Sequence, residues 1–420
     1  MSAVCRWGRE IQGLQYAAAF LVPDWVWAVH SGFVRVSLDL SNTFRVHEPT
    51  PRSQSRPRGF AQAQHLVCAP SHDTILIVAH PDVVLHRLMT SLNGPGQEFE
   101  GYVGKLDLDK VEPESFRDLL KFQQQNASVA LRLEGYNASG CTEHPPYHFD
   151  FLEVTRGIAN AHAFQHDGFA FIVMTQPLVE RLLNLTFDLS QSPPVRQLLG
   201  ISAAPVDRDG IHLALFQLQF DFLLGHEYTH HVHRHCAPEQ ALAVRTEFLK
   251  EEEDGSLEQQ ARELDADGYS SYLLLANLLQ DENRYASVLE GLGHAAHRSA
   301  ASDELLFTAF FVVVLNVLCA FWRKRTEVAA LYKLVHPPPS VRINNIIQVA
   351  QMFAGQNGPV ADTWFQPSRF TELFRTAAAT IPGSGRQTWD SQMALLRSPE
   401  GERYAQALFD KFEAARKKAK

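Results

Sequence analysis

The chain has 420 residues, 45% hydrophobic and 20% charged, enough for one large or two to three ordinary domains with real cores, which excludes a mostly disordered polymer. Lys and Arg number 38 against 47 Asp and Glu, a formal net charge of −9, so the chain lacks the basic excess of a protein that grips a nucleic-acid backbone. Cys5, Cys68, Cys141, Cys236 and Cys319 are odd in number, scattered and never in a C-x-x-C pair. That argues against a disulfide framework and a cysteine-built metal site, and fits a cytoplasmic protein.

In chain order, the apolar run 16–22 that follows Arg6 and Arg9 is short and lacks a small-residue cleavage site, so no signal peptide is expected. Residues 47–59 carry three prolines among polar and basic turn formers and read as an exposed loop. The short β-like runs 74–79, 99–103, 128–133 and 149–154, separated by Gly, Pro and Asn clusters, predict an α/β or β-rich N-terminal region over residues 1–155. After Ser192-Pro193-Pro194 the pattern turns helical, most clearly over 213–235, 256–280 and 305–325. Residues 305–322 (LLFTAFFVVVLNVLCAFW) hold no charge and sit at the lower limit of spanning length. Asn316 lies in the interior of this run and no second such run exists, so a buried core helix is expected ahead of a membrane association through 305–322. Residues 402–420 read as an amphipathic helix with a basic tip, closing a C-terminal helical extension over 351–420.

The chemistry concentrates in Gly225-His226-Glu227-Tyr228-Thr229-His230, an H-E-x-x-H string inside a helical pattern whose apolar face is Leu213, Phe216, Phe220, Leu223 and Leu224. Two histidines four apart lie on one face, one turn above each other, so both imidazoles can reach one ion while Glu227 projects beside its open position. Zinc suits such a site, and three protein ligands leave a fourth position for water, whose pKa falls to about 7 on zinc. Ser256-Leu257-Glu258-Gln259 is a capping box, and the helix it opens carries Glu263 and Asp267 four apart. Glu263 is the expected third ligand. Asp267, one turn on, is placed to accept a hydrogen bond from a ligating histidine. A surface histidine cluster with loose metal binding is the competing reading, because His231, His233 and His235 follow at once. His144 and His148 flank Pro145-Pro146 and are expected to be ordinary loop histidines, and the acidic run 251–254 a solvated loop between the two metal helices.

His226-Glu227-x-x-His230-x-x-x-x-His235 followed by Glu263-Leu264-Asp265-Ala266-Asp267 resembles the pattern of gluzincin metallopeptidases, in the group with the CAAX prenyl endopeptidase and the heat-shock protease HtpX. The segment Ala159-Asn160-Ala161-His162 leading to 168–173, and His336-Pro337-Pro338 with Arg342-Ile343, are similar to two further blocks of that family, in the same order. Together the blocks span 159–343, slightly under half of the chain. A more distant resemblance is to phage-exclusion peptidases of the Lit type. The resemblance implies an α+β fold with a zincin-like core over 156–350, dominated by helices with a small sheet. It implies zinc-dependent endopeptidase activity on a protein or peptide substrate, with Glu227 as general base. His336 or Arg342 would stabilise the oxyanion, and residues 169–175 would form an edge strand along which an extended substrate pairs. The rival expectations are a zincin-shaped binding or regulatory protein with a structural or inactive metal site, and a membrane-anchored scaffold.

Overall fold

The computed structural model describes residues 80–92, 100–139, 145–155, 157–201, 208–236, 255–321, 328–357, 364–381 and 393–418. The loop expected at 47–59, the strand at 74–79 and the acidic run at 251–254 lie outside the described residues. The fold is α+β and mostly helical, with one mixed four-stranded sheet.

Helix α1 (Pro81–Leu92) precedes strand β1 (Tyr102–Lys105), helix α2 (Glu114–Ser139), and strands β2 (Tyr147–Val154), β3 (Ala161–His166) and β4 (Phe169–Thr175). The sheet order is β1-β2-β4-β3. Strand β2 runs parallel to β4, from Tyr147↔Ala170 to Leu152↔Thr175, and β3 pairs antiparallel with β4. The β3–β4 hairpin turns on Asp167 and Gly168, both at positive φ (45° and 80°), the conformation in which a two-residue connection matches the strand twist.

Strand β4 is therefore interior, not the edge expected for 169–175; the edge beside it is β3. The reason is in its composition. The run 169–174 is apolar throughout, as a strand covered on both faces must be. Phe171 and Val173 pack with Val84, Leu85, Leu88 and Met89 of α1, while Ile172 and Met174 join the main helical core. The strand expected at 128–133 is a second correction, since those residues lie within α2. Their alternation of period two is a short accident inside a helical stripe, with Leu120, Gln123, Ala127 and Leu131 buried at i, i+3, i+7 and i+11.

Helices α3 (Gln176–Gln191), α4 (Pro193–Leu198), α5 (Arg208–Val232), α6 (Leu257–Gln280), α7 (Glu282–Gly291) and α8 (Ala300–Ala320) follow. Then come α9 (Val328–Leu331), α10 (Pro339–Asn357), α11 (Pro367–Ala379) and α12 (Pro399–Lys418). One core runs from Leu106 through Phe149, Phe220, Phe311 and Phe353 to Ala377. Strands on either side of 155/156 share one sheet, and α10 runs through 350/351.

Helix α8 is long and apolar enough to cross a membrane, and 78% of its most apolar window is buried inside the protein. Phe307 and Phe311 pack on Trp364, and Phe311 on Phe370. Its one central polar side chain, Asn316, is fully buried between neighbours: Gln219 donates to its Oδ1 (3.0 Å) and its Nδ2 donates to Thr380 Oγ1 (3.0 Å).

Candidate metal centre

The site is built where α5 and α6 cross. Their close approach needs a small residue. A Cβ on Gly225 would stand 2.8 Å from Ser270 Oγ, and that hydroxyl donates to the Phe222 carbonyl at 2.6 Å. Ser256 accepts from the Gln259 amide as the expected N-cap, fixing where α6 begins. On α5 the inward face is Phe216, Phe220, Leu223 and Leu224, but Leu213, expected with them, is 47% exposed at the outer end of the stripe.

The crossing brings His226, His230 and Glu263 together, all about 1% exposed or less. His226 Nε2 lies 3.2 Å from His230 Nε2 and 3.2 Å from Glu263 Oε2, and His230 Nε2 lies 3.8 Å from Glu263 Oε1. Donors about 2.0–2.2 Å from one tetrahedral ion stand about 3.3–3.6 Å apart, so this triangle has the dimensions of a metal's ligand set. Among the described residues it is the fully buried one of three groups that could hold a metal ion.

Proton accounting supports a cation there. Asp267 Oδ1 faces His226 Nδ1 at 3.0 Å, and an ionised carboxylate only accepts, so Nδ1 donates to it; the neutral ring then turns the lone pair of Nε2 to the site, where it and the Glu263 carboxylate 3.2 Å away need a cation between them. Arg342 grips the same carboxylate bidentately, Nε to Oδ2 and Nη2 to Oδ1, both at 2.7 Å. Burial alone would raise the Asp267 pKa, but Arg342 and His226 outweigh it and hold the carboxyl below its usual range. Arg342 thus holds the carboxylate that faces His226. His336 remains at the metal group, its Nε2 3.5 Å from Glu263 Oε2. Gln260 anchors the segment before it by donating to the carbonyls of Leu331 and Leu334 at 2.8 Å each, the latter two residues before His336. Glu227 is 1% exposed, next to His226 on α5.

The other histidines divide. His231 leaves the site and donates Nε2–H to the Phe171 carbonyl of β4 at 2.8 Å, tying α5 to the sheet. His235 returns toward it. The helix ends at Val232, Arg234 adopts the left-handed conformation (φ 59°), and the His235 amide donates to the His230 carbonyl at 2.7 Å. This cap folds the His235 ring against His230, Nδ1 to Nδ1 at 3.0 Å, and its Nε2 lies 3.4 Å from Asp265 Oδ2. His233 Nδ1 meets the same oxygen at 2.5 Å. Burial pushes the His235 pKa down to about 3 despite Asp265, so the ring is neutral at pH 7. Asp265, two residues after Glu263 and so on another face of α6, was not singled out by helical spacing from the ligands. The reach of His235 was equally hidden, because it depends on one backbone reversal.

A third group lies on the sheet. His148 is on β2 rather than in a loop, with Nε2 3.3 Å from both Asp82 and Asp150, and Lys105 Nζ already bridges those carboxylates at 3.1 and 2.8 Å. It is an ion-pair clip between α1 and the sheet, since a cation would have to displace the lysine.

No family model, curated protein or solved structure matches the chain.

Proposed function

We propose that the chain is a zinc-dependent endopeptidase with a zincin-like, gluzincin core, acting on protein or peptide substrates in the cytoplasm. The observation that carries the reading is the buried triangle of His226 Nε2, His230 Nε2 and a Glu263 carboxylate, with Glu227 beside its first member on the same helix. Two neutral imidazoles and a carboxylate suit zinc. The ion, when bound, would polarise the scissile carbonyl and acidify a neighbouring water. Glu227 takes the proton that the attacking water loses and returns it to the leaving amine nitrogen. His336, at the rim of the group, is the donor for the developing oxyanion. Asp267, held by Arg342, keeps His226 in the tautomer that can bind metal.

The rival is a regulatory protein with a structural metal, for which four protein ligands normally close the site. The two histidines that follow the motif and could have closed it are engaged elsewhere: His231 on Phe171, and His235 on the far nitrogen of His230. The experiment is Glu227→Gln with zinc content and cellular cleavage products measured side by side. Gln keeps the size but cannot accept the proton, so zinc should be retained and cleavage abolished. Identical products from both proteins would remove the peptidase reading.

A further inference from the structure

We propose that Asp265 and His235 form a relay that fixes the tautomer of His230, so that His230 Nε2 presents a lone pair to the metal centre. This inference rests on the metal-site reading above and assigns the other histidine its orienting partner, as Asp267 is assigned to His226.

The argument is a count of protons. A contact of 3.0 Å between His230 Nδ1 and His235 Nδ1 is a hydrogen bond only if one of the two nitrogens carries a proton and the other does not. Two arrangements satisfy it, and they have opposite consequences for the metal. If His235 donates, the single proton of a neutral His230 is left on Nε2, pointing into the triangle, where it blocks coordination. If His230 donates, its Nε2 is bare. Asp265 decides between them. Its Oδ2 stands 3.4 Å from His235 Nε2, and a carboxylate can only accept, so His235 carries its proton on Nε2 and offers Nδ1 as a lone pair. The order of donation then runs from His230 Nδ1–H to His235 Nδ1, and from His235 Nε2–H to Asp265. His233 donates to the same Asp265 oxygen at 2.5 Å, with its ring 4.8 Å from that of Tyr269, and holds the carboxylate in place.

The backbone supplies the geometry. Only because Arg234 takes φ 59° does the chain reverse sharply enough for the His235 amide to bond the His230 carbonyl, which sets the two rings 5.0 Å apart at 65°. The His233, His235 and Asp265 side chains are 9–12% exposed, so the relay lies just beneath the surface. They also form a group that could hold a cation themselves. His233 Nδ1 and Asp265 Oδ2 stand closer together than the roughly 3.3 Å edge between two ligands of one ion.

The test reads the tautomer directly, by long-range proton–nitrogen correlation on the full chain, metal-free, with ¹⁵N-labelled histidine. Wild-type His230 is expected as the Nδ1–H form. In Asp265→Asn the new amide can donate to His235 Nε2, which reverses both hydrogen bonds; His230 should become Nε2–H, and zinc affinity should fall about 10- to 100-fold. Adding His235→Gln, whose amide oxygen accepts from His230 whatever stands at 265, should restore both the tautomer and the affinity. Should Asp265→Asn fail to fold, His235→Phe removes the acceptor instead and is expected to leave His230 as a mixture of tautomers. A wild-type His230 in the Nε2–H form, no change in tautomer in Asp265→Asn or His235→Phe, or a second equivalent of zinc whose binding is lost in His233→Ala would overturn the relay. A wild-type protein that binds no zinc would remove the metal-site reading, while the tautomer measurement still decides the relay.

Discussion

Replacing Asp267 by Asn removes one charge and keeps the shape, at a position where the structure makes the consequence calculable. The carboxylate is 0% exposed and receives two 2.7 Å bonds from Arg342 and one 3.0 Å bond from His226. Asn offers one acceptor oxygen in place of two, and its amide hydrogens must face either the guanidinium or the imidazole N–H, donor against donor. Breaking one side of a buried ion pair costs about 3–5 kcal/mol, roughly a third to a half of the stability of a protein at the middle of the usual range of about 5–15 kcal/mol. Much of that cost belongs to the stranded Arg342 charge. Arg342→Met in the same background should therefore recover much of the stability, giving a double variant clearly better than the sum of the singles. Zinc affinity should behave differently, falling about 10- to 100-fold in Asp267→Asn and staying low in the double variant, because His226 still lacks its carboxylate. Urea denaturation of the metal-free proteins and chelator competition with zinc read the two quantities separately. Additive stabilities would refute the reading of Asp267 and Arg342 as a buried pair, and full zinc affinity in Asp267→Asn would remove Asp267 from the orientation of His226.

Gly225→Val should force α5 and α6 apart, since even a Cβ would stand 2.8 Å from Ser270 Oγ; a loss of about 2 kcal/mol or more with weakened zinc binding is expected in denaturation and chelator titrations, and wild-type behaviour would mean that the crossing is looser than described. Arg234→Gly should raise stability by about 1 kcal/mol with zinc affinity unchanged, because glycine adopts the left-handed cap without strain; a lower melting temperature would contradict the capping geometry. The chain should be released from membranes by carbonate, as expected of a protein whose one apolar helix of spanning length among the described residues packs inside it; recovery in the extracted pellet would reverse that.

What the sequence disclosed of the site was what lies within single helices. His226 and His230, and Glu263 and Asp267, are pairs at i, i+4, and helical geometry alone puts each pair on one face. The helices themselves were legible from the stripe of Phe216, Phe220 and Leu223 and from the Ser256 cap. Contacts between distant segments were not. Arg342 reaches Asp267 across 75 positions, and nothing local distinguishes a guanidinium bound for a carboxylate from one bound for an oxyanion. His235 depends on a left-handed Arg234, a conformation that sequence assigns to glycine or asparagine before arginine. The sheet failed for a related reason: the apolar run 169–175 fits a strand, but its interior place follows from the parallel partner β2, which long-range topology alone supplies. The Asp167-Gly168 hairpin is, by contrast, written in the chain as an Asp-Gly turn between two strand-like runs.

Helix α8 presents apolar side chains in every direction, and a cylinder that is equally greasy all round has almost no preferred rotation about its own axis. Asn316, joined to Gln219 on one flank and to Thr380 on the other, acts as a key in that cylinder: only one angle and one height let both amide bonds form. Exchanging it for leucine would strand the Gln219 amide, itself 0% exposed, at a cost of about 1–3 kcal/mol, and would also allow the helix to turn or slide. Since Gln219 lies on α5, two turns before His226, such slippage would reach the helix that carries the two histidines. A polar contact deep in an oily core then matters for whether the two histidines arrive at one address as well as for how firmly the protein folds.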